Sequence, residues 1–360
     1  MRVLFWVPYP TEGASNRYRV EQYLPYLREA GVNYSLRPFW SKRAFRVLYK
    51  NGHWFTKCFY FILGTIYRFF DLLTISQYDL VFIHREAYPI GGAFLETLLV
   101  RLKKPFIFDF DDAIFLPTVS RPNNFIERYK KPDKITDIIK MSKCVIAGNH
   151  YLADFALRYN RSVYVIPTPI DTESYYPNKK DHRDEVIIGW IGSVTTSSFL
   201  NSMKNIFIQL SKRFHQVKFK IVGGDFCIVD LPSVINKTWS LEEEMDGLRT
   251  FDIGIMPMPD NEWTKGKCGF KAILYMSMGI PCVCSPVGVN KEIIVDGING
   301  FLADTEDKWI EKFSLLIEDS KIRERLALAG RRTVEERYSV NVNAPKFLKI
   351  IEDVYNGRYK

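Results

Sequence analysis

The stretch that decides the fold is residues 265–288, which read KGKCGFKAILYMSMGIPCVCSPVG. Its pattern predicts a glycine-bearing loop, then a helix, a Gly-x-Pro stop and a short apolar strand. The loop contributes three lysines, Lys265, Lys267 and Lys271. Backbone N–H groups at a helix N-terminus favour an anion, and ammonium groups beside them add to that preference. We therefore expect this loop to hold a phosphate-bearing ligand.

The composition is that of a globular protein with ample core. The chain has 360 residues, of which 47% are hydrophobic and 25% charged, and this length suits two domains of ordinary size. The formal net charge is +9, and residues 1–75 supply +7 of it, from eleven Lys and Arg against four Asp and Glu. This surplus indicates an anionic partner, such as nucleic acid, a phospholipid surface or a phosphorylated substrate. Scattered, solvated charge is the alternative.

The cysteine pattern indicates reduced thiols in a cytosolic protein. No C-x-x-C appears, and no histidine lies at metal-ligand spacing. The first residues lack the long apolar region of a signal peptide, so we expect none. The six cysteines are dispersed, mostly in apolar runs: Cys58, Cys144, Cys227, Cys268, Cys282 and Cys284.

Strands and helices alternate in two stretches, which predicts two parallel α/β sheets. A proline-rich segment at 167–177 and a charged run at 178–185 mark a linker between the stretches. Ligands of such sheets bind beyond the carboxyl ends of the strands. In the first stretch, that edge contains these polar residues: His84, Arg85, Glu86, Asp109, Asp111 and Asp112.

Residues 40–75 form an unusual basic and aromatic insertion. Within it, Lys57, Arg68 and Asp71 interrupt an apolar run that would otherwise suit a transmembrane helix. We interpret the insertion as a pair of interfacial helices, with basic residues on anionic headgroups and aromatic residues at the boundary. A core helix with a few surface cations is the alternative. A nucleic-acid partner is disfavoured, because the cations accompany an apolar face rather than a stacking platform.

A helix is predicted over residues 16–30, with an apolar stripe at helical spacing. Arg17 and Arg19 fall in its first turn, where the helix dipole disfavours cations. The pair therefore suggests either an anion held between the two side chains or simple solvent exposure.

The acidic run at 109–112, Asp-Phe-Asp-Asp, has several interpretations. Hard carboxylates suit Mg²⁺ or Mn²⁺, but the run lies far in sequence from the predicted phosphate loop. We favour orientation of the hydroxyls of a second substrate, or a structural pairing with Arg85 or Arg17. His84 is either a base or a hydrogen-bonded structural residue, which is the commoner role for a lone histidine at a strand end.

A second anion site is predicted where the strand at 186–192 meets the next helix. Backbone N–H groups at Gly192 and Ser193 can cradle a diphosphate. Together with Lys267 and Lys271, this turn would stabilise a diphosphate as it gains charge on leaving. Removing one such preorganised donor typically raises a reaction barrier by about 3 kcal/mol. The sequence therefore predicts diphosphate departure without an obligatory metal.

Four segments resemble glycosyltransferases of the GT-B fold, close to the large retaining family 4. Residues 166–177 are similar to the interdomain sequence of that family, and residues 189–193, Gly-Trp-Ile-Gly-Ser, to its strand and diphosphate turn. Residues 271–281 match its helix ending in Met-x-x-Gly-x-Pro, and residues 287–301 match the segment that follows.

Three segments resemble a narrower subgroup, the polysaccharide-assembly enzymes of the capsule and O-antigen type. They are Gly-Lys-Cys-Gly-Phe-Lys at 266–271, Ser-x-Arg-Tyr-Arg at 15–19 and Asp-Phe-Asp-Asp-Ala at 109–113. This resemblance implies a role in surface polysaccharide synthesis, on a glycan or polyprenyl-linked acceptor. Together with the interfacial helices interpreted at residues 40–75, it indicates a cytoplasmic protein that is peripheral on the inner face of the cytoplasmic membrane.

The resemblance implies an α/β protein with the GT-B fold, in which two Rossmann-like domains face a cleft. Residues 1–172 would form the acceptor-binding domain, with the insertion at about 40–75. Residues 184–340 would bind a nucleotide-diphosphate sugar, and a helix at 341–360 would cross back to the first domain. The implied reaction is glycosyl transfer with retention, in which the donor is a substrate and no cofactor is needed.

Residue roles follow from the matched positions and from the strand edges. We predict catalytic roles for Glu86, Asp111, Asp112, Lys267 and Lys271. We predict donor contacts at Gly192, Ser193, Lys267, Cys268, Gly269, Phe270, Lys271, Gly288 and Glu292. We predict acceptor contacts at Arg17, Arg19, His84, Arg85 and Asp109, and no metal ligand.

One departure from the family pattern matters. Its members usually have two glutamates separated by seven residues, and the corresponding positions here are Gly266 and Leu274. The glutamate contacts to donor sugar and ribose therefore cannot be carried over, and more of the donor binding falls to Lys267, Lys271 and backbone N–H groups. The missing acids also keep alternatives open: an epimerase or phosphorylase of the GT-B fold, or a non-catalytic protein that binds sugar nucleotides at a membrane surface.

Overall fold

The structure is a computed structural model that describes residues 1–50, 52–116, 131, 133–178, 184–224, 226–228, 231 and 233–358. The chain divides into two units. Unit 1 comprises Met1–Pro169 and Asn343–Lys360, and unit 2 comprises Ile170–Val342. Unit 2 begins at Ile170, within the linker predicted at residues 167–185.

Unit 1 is built on a sheet of six strands: β1 (Arg2–Val7), β2 (Asn33–Pro38), β3 (Leu80–His84), β4 (Phe106–Phe110), β5 (Cys144–Ala147) and β6 (Val163–Val165). All pair in parallel, in the order β2-β1-β3-β4-β5-β6. β3, β4 and β5 are buried along their whole lengths, as expected of strands covered on both faces. The order reverses between β1 and β3, and sheets of this type bind ligands at such a reversal.

The helices described in unit 1 are α1 (Ala14–Arg19), α2 (Leu24–Glu29), α3 (Lys42–Leu48), α4 (Trp54–Leu73), α5 (Phe94–Arg101), α6 (Lys134–Met141) and α7 (His150–Leu157). Short 3₁₀ turns occupy Glu21–Tyr23 and Ile75–Gln77. The Asn149 side chain caps α7 by accepting a hydrogen bond from the Leu152 N–H at 2.9 Å.

The single helix predicted over residues 16–30 is wrong, because the chain forms α1, a 3₁₀ turn and α2 instead. Val20 ends α1, since its backbone (φ −126°, ψ −59°) lies outside the helical region. Pro25 then stands at the start of α2, where its missing N–H leaves no hydrogen bond unmade. Arg17 and Arg19 consequently lie in the last turn of α1, and both are buried.

The pair of helices predicted in the insertion is confirmed as α3 and α4. The two helices share a small apolar cluster with four buried members: Phe39, Trp40, Ala44 and Leu48. The buried residues of α4 itself are Gly64, Arg68 and Asp71. Among the helices of the described ranges, none combines the length and the apolar character needed to cross a bilayer.

Unit 2 contains a second parallel sheet: β7 (Val186–Ile191), β8 (Val217–Val222), β9 (Val234–Lys237), β10 (Ile253–Met256), β11 (Cys282–Cys284) and β12 (Phe301–Leu302). The spatial order is β12-β11-β10-β7-β8-β9. This is the strand order of dinucleotide-binding Rossmann folds, with its reversal between β7 and β10. Alternate residues of β7 enter separate cores, since Ile188 and Trp190 belong to one and Ile187 and Ile191 to the other.

The helices described in unit 2 are α8 (Val194–Ser197), α9 (Lys204–Arg213), α10 (Glu244–Arg249), α11 (Glu262–Lys265), α12 (Phe270–Ser277), α13 (Asn290–Ile293), α14 (Glu306–Glu318) and α15 (Ser320–Thr333). The sequence predicts one helix from the Ser/Thr-rich turn to about residue 214, and this is wrong: α8, a 3₁₀ stretch (Ser198–Met203) and α9 replace it. Hydroxyl groups compete for its backbone carbonyls, as Ser197 Oγ donates to Val194 O and Ser202 Oγ to Phe199 O, each at 2.8 Å.

The last helix, α16 (Val340–Tyr355), contributes its residues from Asn343 onward to unit 1. The Phe347 ring is stacked on Tyr23 at a centroid distance of 4.2 Å and lies 5.3 Å from Phe82. The C-terminal helix is thus part of the core of unit 1. The two parallel-sheet, Rossmann-like α/β domains predicted from the sequence are confirmed.

Candidate functional site

In unit 2, Gly269 shapes the lysine-bearing loop between α11 and α12. Its φ is +64°, and a Cβ there would lie 2.3 Å from the Ile293 side chain and 3.1 Å from Asn290 Oδ1. Only glycine suits both this backbone conformation and this space. Phe270 and Lys271 then begin α12, so the N–H groups of its first turn follow directly after the loop.

Lys271 lies against the carboxyl end of β7. Its Cε is 2.8 Å from the point where a Cβ on Gly192 would stand, and two ring carbons of Trp190 are 2.6 Å from the same point. The Lys271 ammonium lies 5.4 Å from the centroid of the Trp190 ring. Gly192 therefore allows the indole and the lysine stem to approach each other. The structure brings together the two predicted parts of the diphosphate site, the Gly192 turn and the Lys271 loop.

Lys267 also rests on an indole ring. Its Nζ lies 3.7 Å from the centroid of Trp263, which stands four residues earlier on α11. The Trp263 ring in turn makes an edge contact with Phe199 at 6.1 Å. An ammonium held over an indole face is fixed in position while it keeps its charge. Both predicted donor lysines of the loop are therefore placed by tryptophans.

Two further glycines bring backbone segments to this place. Gly223, after β8, has φ +79°, and a Cβ there would stand 2.2 Å from Gly192 O. Gly288, after β11, has φ +52°, and a Cβ there would stand 2.9 Å from Lys265 O. Since each segment approaches its neighbour too closely for a side chain, the end of β8 lies against the Gly192 turn, and the segment after β11 lies against the lysine loop.

The other predicted donor residues differ in exposure. Ser193 is exposed and precedes α8, a helix of only four residues, with its hydroxyl 2.7 Å from Thr195 Oγ1. Cys268 is buried, Phe270 is half-buried, and Glu292 is exposed on α13. The serine and the glutamate are thus open to solvent, whereas Cys268 is buried in the loop.

Tyr275 fixes α12 to the sheet at the reversal of strand order. Its hydroxyl accepts from the Ile191 N–H at 3.1 Å and donates to Ile255 O at 3.2 Å, which joins the ends of β7 and β10. Burial raises the pKa of this phenol well above its ordinary value, so it remains neutral. The preceding residue, Leu274, is buried in the core, where a glutamate would be desolvated.

In unit 1, His84, Asp109 and Arg19 form a buried cluster at the ends of β3 and β4. His84 and Asp109 are neighbours in register, and His84 Nδ1 lies 2.6 Å from Asp109 Oδ2. Arg19 donates to both carboxylate oxygens of Asp109 and, at 2.6 Å, to Ile166 O. All three side chains are at most 1% exposed. The structure therefore places these three predicted acceptor contacts beneath the surface, next to the segment after β3.

Arg85 comes next and has φ +63°, an unusual backbone conformation for a residue other than glycine. Its Nε donates to Asp111 Oδ1 at 2.7 Å, and its Nη2 lies 3.6 Å from Asp112 Oδ2. Burial by itself would raise the pKa of Asp111, but the Arg85 guanidinium holds that pKa well below its ordinary value. Because all three side chains remain partly exposed, they form the part of this edge that a substrate can reach.

Glu86 and Ala87 complete the segment, and buried charges hold both. Glu86 accepts from Lys134 Nζ at 2.9 Å, and Lys134 also donates to Tyr88 O. The Ala87 N–H donates to Glu96 Oε1 at 3.2 Å, while Ala87 O accepts from Arg68 Nε at 3.0 Å. Burial raises the pKa of Glu96. The segment 84–87 is therefore held in place from α4, α5 and α6.

The structural pairing predicted for the acidic run is confirmed with Arg85 and is wrong with Arg17. Asp109 pairs with Arg19 instead, because the end of α1 directs that side chain toward β4. Arg17 donates to Thr11 O at 3.0 Å and is buried, so solvent exposure is wrong for both arginines. Within the described ranges, no three His, Cys, Asp or Glu side chains are arranged to hold a metal ion.

Sequence reasoning missed four residues that position these sites: Trp190, Trp263, Lys134 and Arg68. Two of them had a usable signal, since Trp190 stands inside Gly-Trp-Ile-Gly and Trp263 precedes Lys267 by one helical turn. Arg68 was visible only as an interruption of an apolar run. Lys134 had none, because its partner Glu86 is 48 residues away.

Comparison with known families finds a similarity within unit 2. Residues 185–319 match the family model described as Glycosyl transferases group 1. The matched segment includes the Gly192 turn and the loop with Lys267 and Lys271. No curated protein matches the chain. Residues 185–319 of unit 2 are therefore similar to the group 1 glycosyl transferases.

Solved structures share the fold over nearly the whole chain. A glycosyltransferase from Rickettsia africae ESF-5 has a TM-score of 0.67 at 16% identity, covering 98% of each chain. Anabaena HepE, solved in complex with UDP-glucose, has a TM-score of 0.68 at 13% identity, covering 98% of this chain and 100% of its own. A sucrose-phosphate synthase from Thermosynechococcus elongatus has a TM-score of 0.67 at 14% identity, covering 99% of each chain. At these identities the likeness shows the fold, which is GT-B.

Proposed function

We propose that the protein is a retaining glycosyltransferase, of the family 4 type, that moves a sugar from a nucleotide-diphosphate donor to a glycan or polyprenyl-linked glycan. The observation that carries this proposal is the meeting of the Gly192 turn and the Lys271 side chain within a segment similar to the group 1 glycosyl transferases. The HepE complex makes UDP-glucose a first donor to try.

The donor diphosphate would lie on Lys267, Lys271 and the backbone N–H groups that follow Gly192. The Gly192 N–H itself donates to Val222 O at 3.0 Å, so the prediction that it binds the diphosphate is wrong. When the bond between the anomeric carbon and the diphosphate oxygen breaks, negative charge grows on that oxygen. Two ammonium groups already fixed over indole rings stabilise this charge without reorganising. We therefore propose that the diphosphate departs without an obligatory metal.

The acceptor would bind at the exposed edge formed by Arg85, Asp111, Asp112 and Glu86. Because Arg85 keeps the pKa of Asp111 low, this carboxylate is a weak base and a strong hydrogen-bond acceptor. Asp111 would thus orient the acceptor hydroxyl rather than remove its proton. The hydroxyl oxygen forms the new bond to the anomeric carbon on the face that the diphosphate leaves, and its proton passes to the departing diphosphate. Attack on the same face retains the anomeric configuration.

The acceptor would belong to surface polysaccharide synthesis. This follows from the resemblance of segments 15–19, 109–113 and 266–271 to polysaccharide-assembly enzymes. A polyprenyl-linked acceptor would place the reaction at the inner face of the cytoplasmic membrane.

A panel of nucleotide sugars tests the proposal. The protein is first screened by thermal shift against UDP, GDP, ADP and CMP derivatives, since a ligand at 100 times its dissociation constant stabilises by about 2.7 kcal/mol. The bound donor is then incubated with and without lipid-linked glycans. Diphosphate release that requires acceptor, with a retained configuration in the product, supports glycosyl transfer.

The same experiment separates the alternatives. An epimerase would change the donor sugar with no acceptor and no diphosphate release. A non-catalytic binding protein would show the thermal shift but would turn over none of the donors. Either result would overturn the proposal.

A further inference from the structure

The outward face of α4 is apolar, whereas its inward face buries two charged side chains beside the half-buried Tyr60 and Phe61. An ordinary surface helix places its charges outward. Phe55 is 95% exposed and Leu73 is 78% exposed. We give the name α4 stripe to seven of the exposed apolar residues of this helix: Phe55, Phe59, Ile62, Ile66, Phe69, Phe70 and Leu73. The helix buries Gly64, Arg68 and Asp71 instead. A contiguous apolar face of this kind marks an interaction surface.

Hydrogen bonds on the inward face fix the orientation of α4. Arg68 donates to Val7 O at 3.0 Å, to Arg37 O at 2.9 Å and to Ala87 O at 3.0 Å. Trp6 Nε1 donates to Asp71 Oδ2 at 3.0 Å. Burial lowers the pKa of Arg68 to about 10, which leaves it charged at neutral pH. Rotating the helix to bury its stripe would strip this charge of its partners, so the stripe is held outward.

Gly64 allows α4 to pack closely against Phe39. A Cβ there would lie 2.7 Å from Phe39 O and 3.1 Å from the Phe39 ring. The helix therefore approaches the segment after β2 as closely as its backbone allows. The face of α4 that carries Gly64, Arg68 and Asp71 is therefore the one that packs against the rest of unit 1.

The charge around the stripe is positive. Four cations are exposed on α3 and just after it: Lys42, Arg43, Arg46 and Lys50. Of these, Lys42 pairs with Glu12 at 2.6 Å. The only acidic residue of segment 41–73 is Asp71, and it is buried beside Arg68. An apolar stripe rich in phenylalanine, next to a cationic helix, has the composition of an element that lies in a bilayer interface.

A second copy of the chain is the main competing occupant. Phe55, Phe59, Ile62, Ile66, Phe69 and Leu73 alternate in spacings of four and three residues, as in a coiled-coil seam. The flanking positions of such a seam would be Thr56, Leu63, Phe70, Cys58, Thr65 and Leu72, and none is charged. Interhelical ion pairs at those positions normally set the partner, so this helix lacks the features that specify a dimer.

We propose that the α4 stripe docks on an anionic phospholipid bilayer, with its apolar side chains among the acyl chains and the α3 cations at the headgroups. The role of this docking rests on the proposed function, because it would bring the protein to a lipid-linked acceptor. Arg68 links the stripe to the proposed acceptor segment, because it donates to Ala87 O, one residue after Glu86. Docking would thus hold that segment at a fixed height above the lipid surface.

Co-sedimentation with vesicles tests the docking. The full chain is mixed with vesicles of phosphatidylcholine alone, or of phosphatidylcholine and phosphatidylglycerol in equal amounts, at low and high salt. Leu73→Ser is compared with Leu328→Ser, a matched control because Leu328 is 73% exposed on α15 of unit 2. Both replaced side chains are largely exposed, so both variants should fold.

The wild type should prefer the anionic vesicles, and salt should weaken its binding. Leu73→Ser should reduce partitioning about tenfold, the ratio expected for one buried leucine side chain, while Leu328→Ser leaves it unchanged. Equal behaviour of the two variants, absence of vesicle binding, or a dimer that forms in its place would overturn the inference. Thermal shift with nucleotide sugars in the same samples reports separately on the proposed donor site, so the failure of either proposal is recognised on its own.

Discussion

Replacing Gly192 with alanine should move Lys271 while leaving most of unit 2 intact. The new Cβ would meet two Trp190 ring carbons at 2.6 Å and Lys271 Cε at 2.8 Å, where ordinary contacts measure 3.4–4 Å. Trp190 is 1% exposed in the core and cannot retreat, so the flexible lysine stem must yield. We expect overpacking to cost about 1–3 kcal/mol of folding stability. A displaced ammonium should lower kcat/KM by about 100-fold, as for other misplacements of about 1 Å.

Gly247→Ala provides the control for this experiment. Gly247 lies within α10, and a Cβ there would have Val222 at 3.8 Å as its nearest neighbour. Alanine should leave kcat/KM unchanged. It should raise the folding stability by about 0.5–1 kcal/mol, because alanine favours a helix interior over glycine. Thermal unfolding and diphosphate release are measured on both variants, with about 2–4 °C expected per kcal/mol in a domain of this size. A wild-type turnover rate in Gly192→Ala, or an equal loss of activity in Gly247→Ala, would refute the displacement of Lys271.

Three further predictions concern charged residues of the two units and the side chains that hold them. Arg19→Ala leaves Asp109 buried without its cation and should cost about 3–5 kcal/mol in urea denaturation, whereas a loss below about 1 kcal/mol would contradict the buried pairing. Asp111→Asn should lower kcat/KM without changing its profile between about pH 5 and 9, because the low pKa keeps Asp111 ionised throughout; losing the acid limb would show that Asp111 is the base. The stability that Asp111 supplies is present above about pH 4 and lost only as pH falls through its lower folded-state pKa. Trp263→Leu should raise the KM for the donor about threefold to tenfold, since the ring under Lys267 is lost, and an unchanged KM would remove Trp263 from the donor site.

The central strands could be predicted from the sequence because strands covered on both faces read as continuous apolar runs. β2 (Asn33–Pro38) and β9 (Val234–Lys237) could not be predicted in this way, because neither contains a continuous apolar run. They stand at sheet edges and are half-exposed and partly polar, so only their pairing with β1 and β8 makes them strands.

The candidate site divides in a similar way. Gly192 and Lys271 could be predicted to act together, because both follow from local motifs at strand ends of one sheet. The roles of Arg19 and His84 could not, since their burial depends on where α1 ends and on the register of β3 with β4. A sequence pattern reports residue types along an edge, whereas the packing decides which of them a substrate can reach.

The most direct test of the account is the rate of diphosphate release, with acceptor present, in Lys267→Ala and Lys271→Ala. Both side chains are half-buried and rest on indole rings at the surface of the sheet edge, so thermal unfolding should change little. Each variant should lose at least about 100-fold in kcat, the usual effect of removing one preorganised donor to a developing charge. Turnover near the wild-type rate in both variants would contradict the assignment of this loop to the leaving diphosphate.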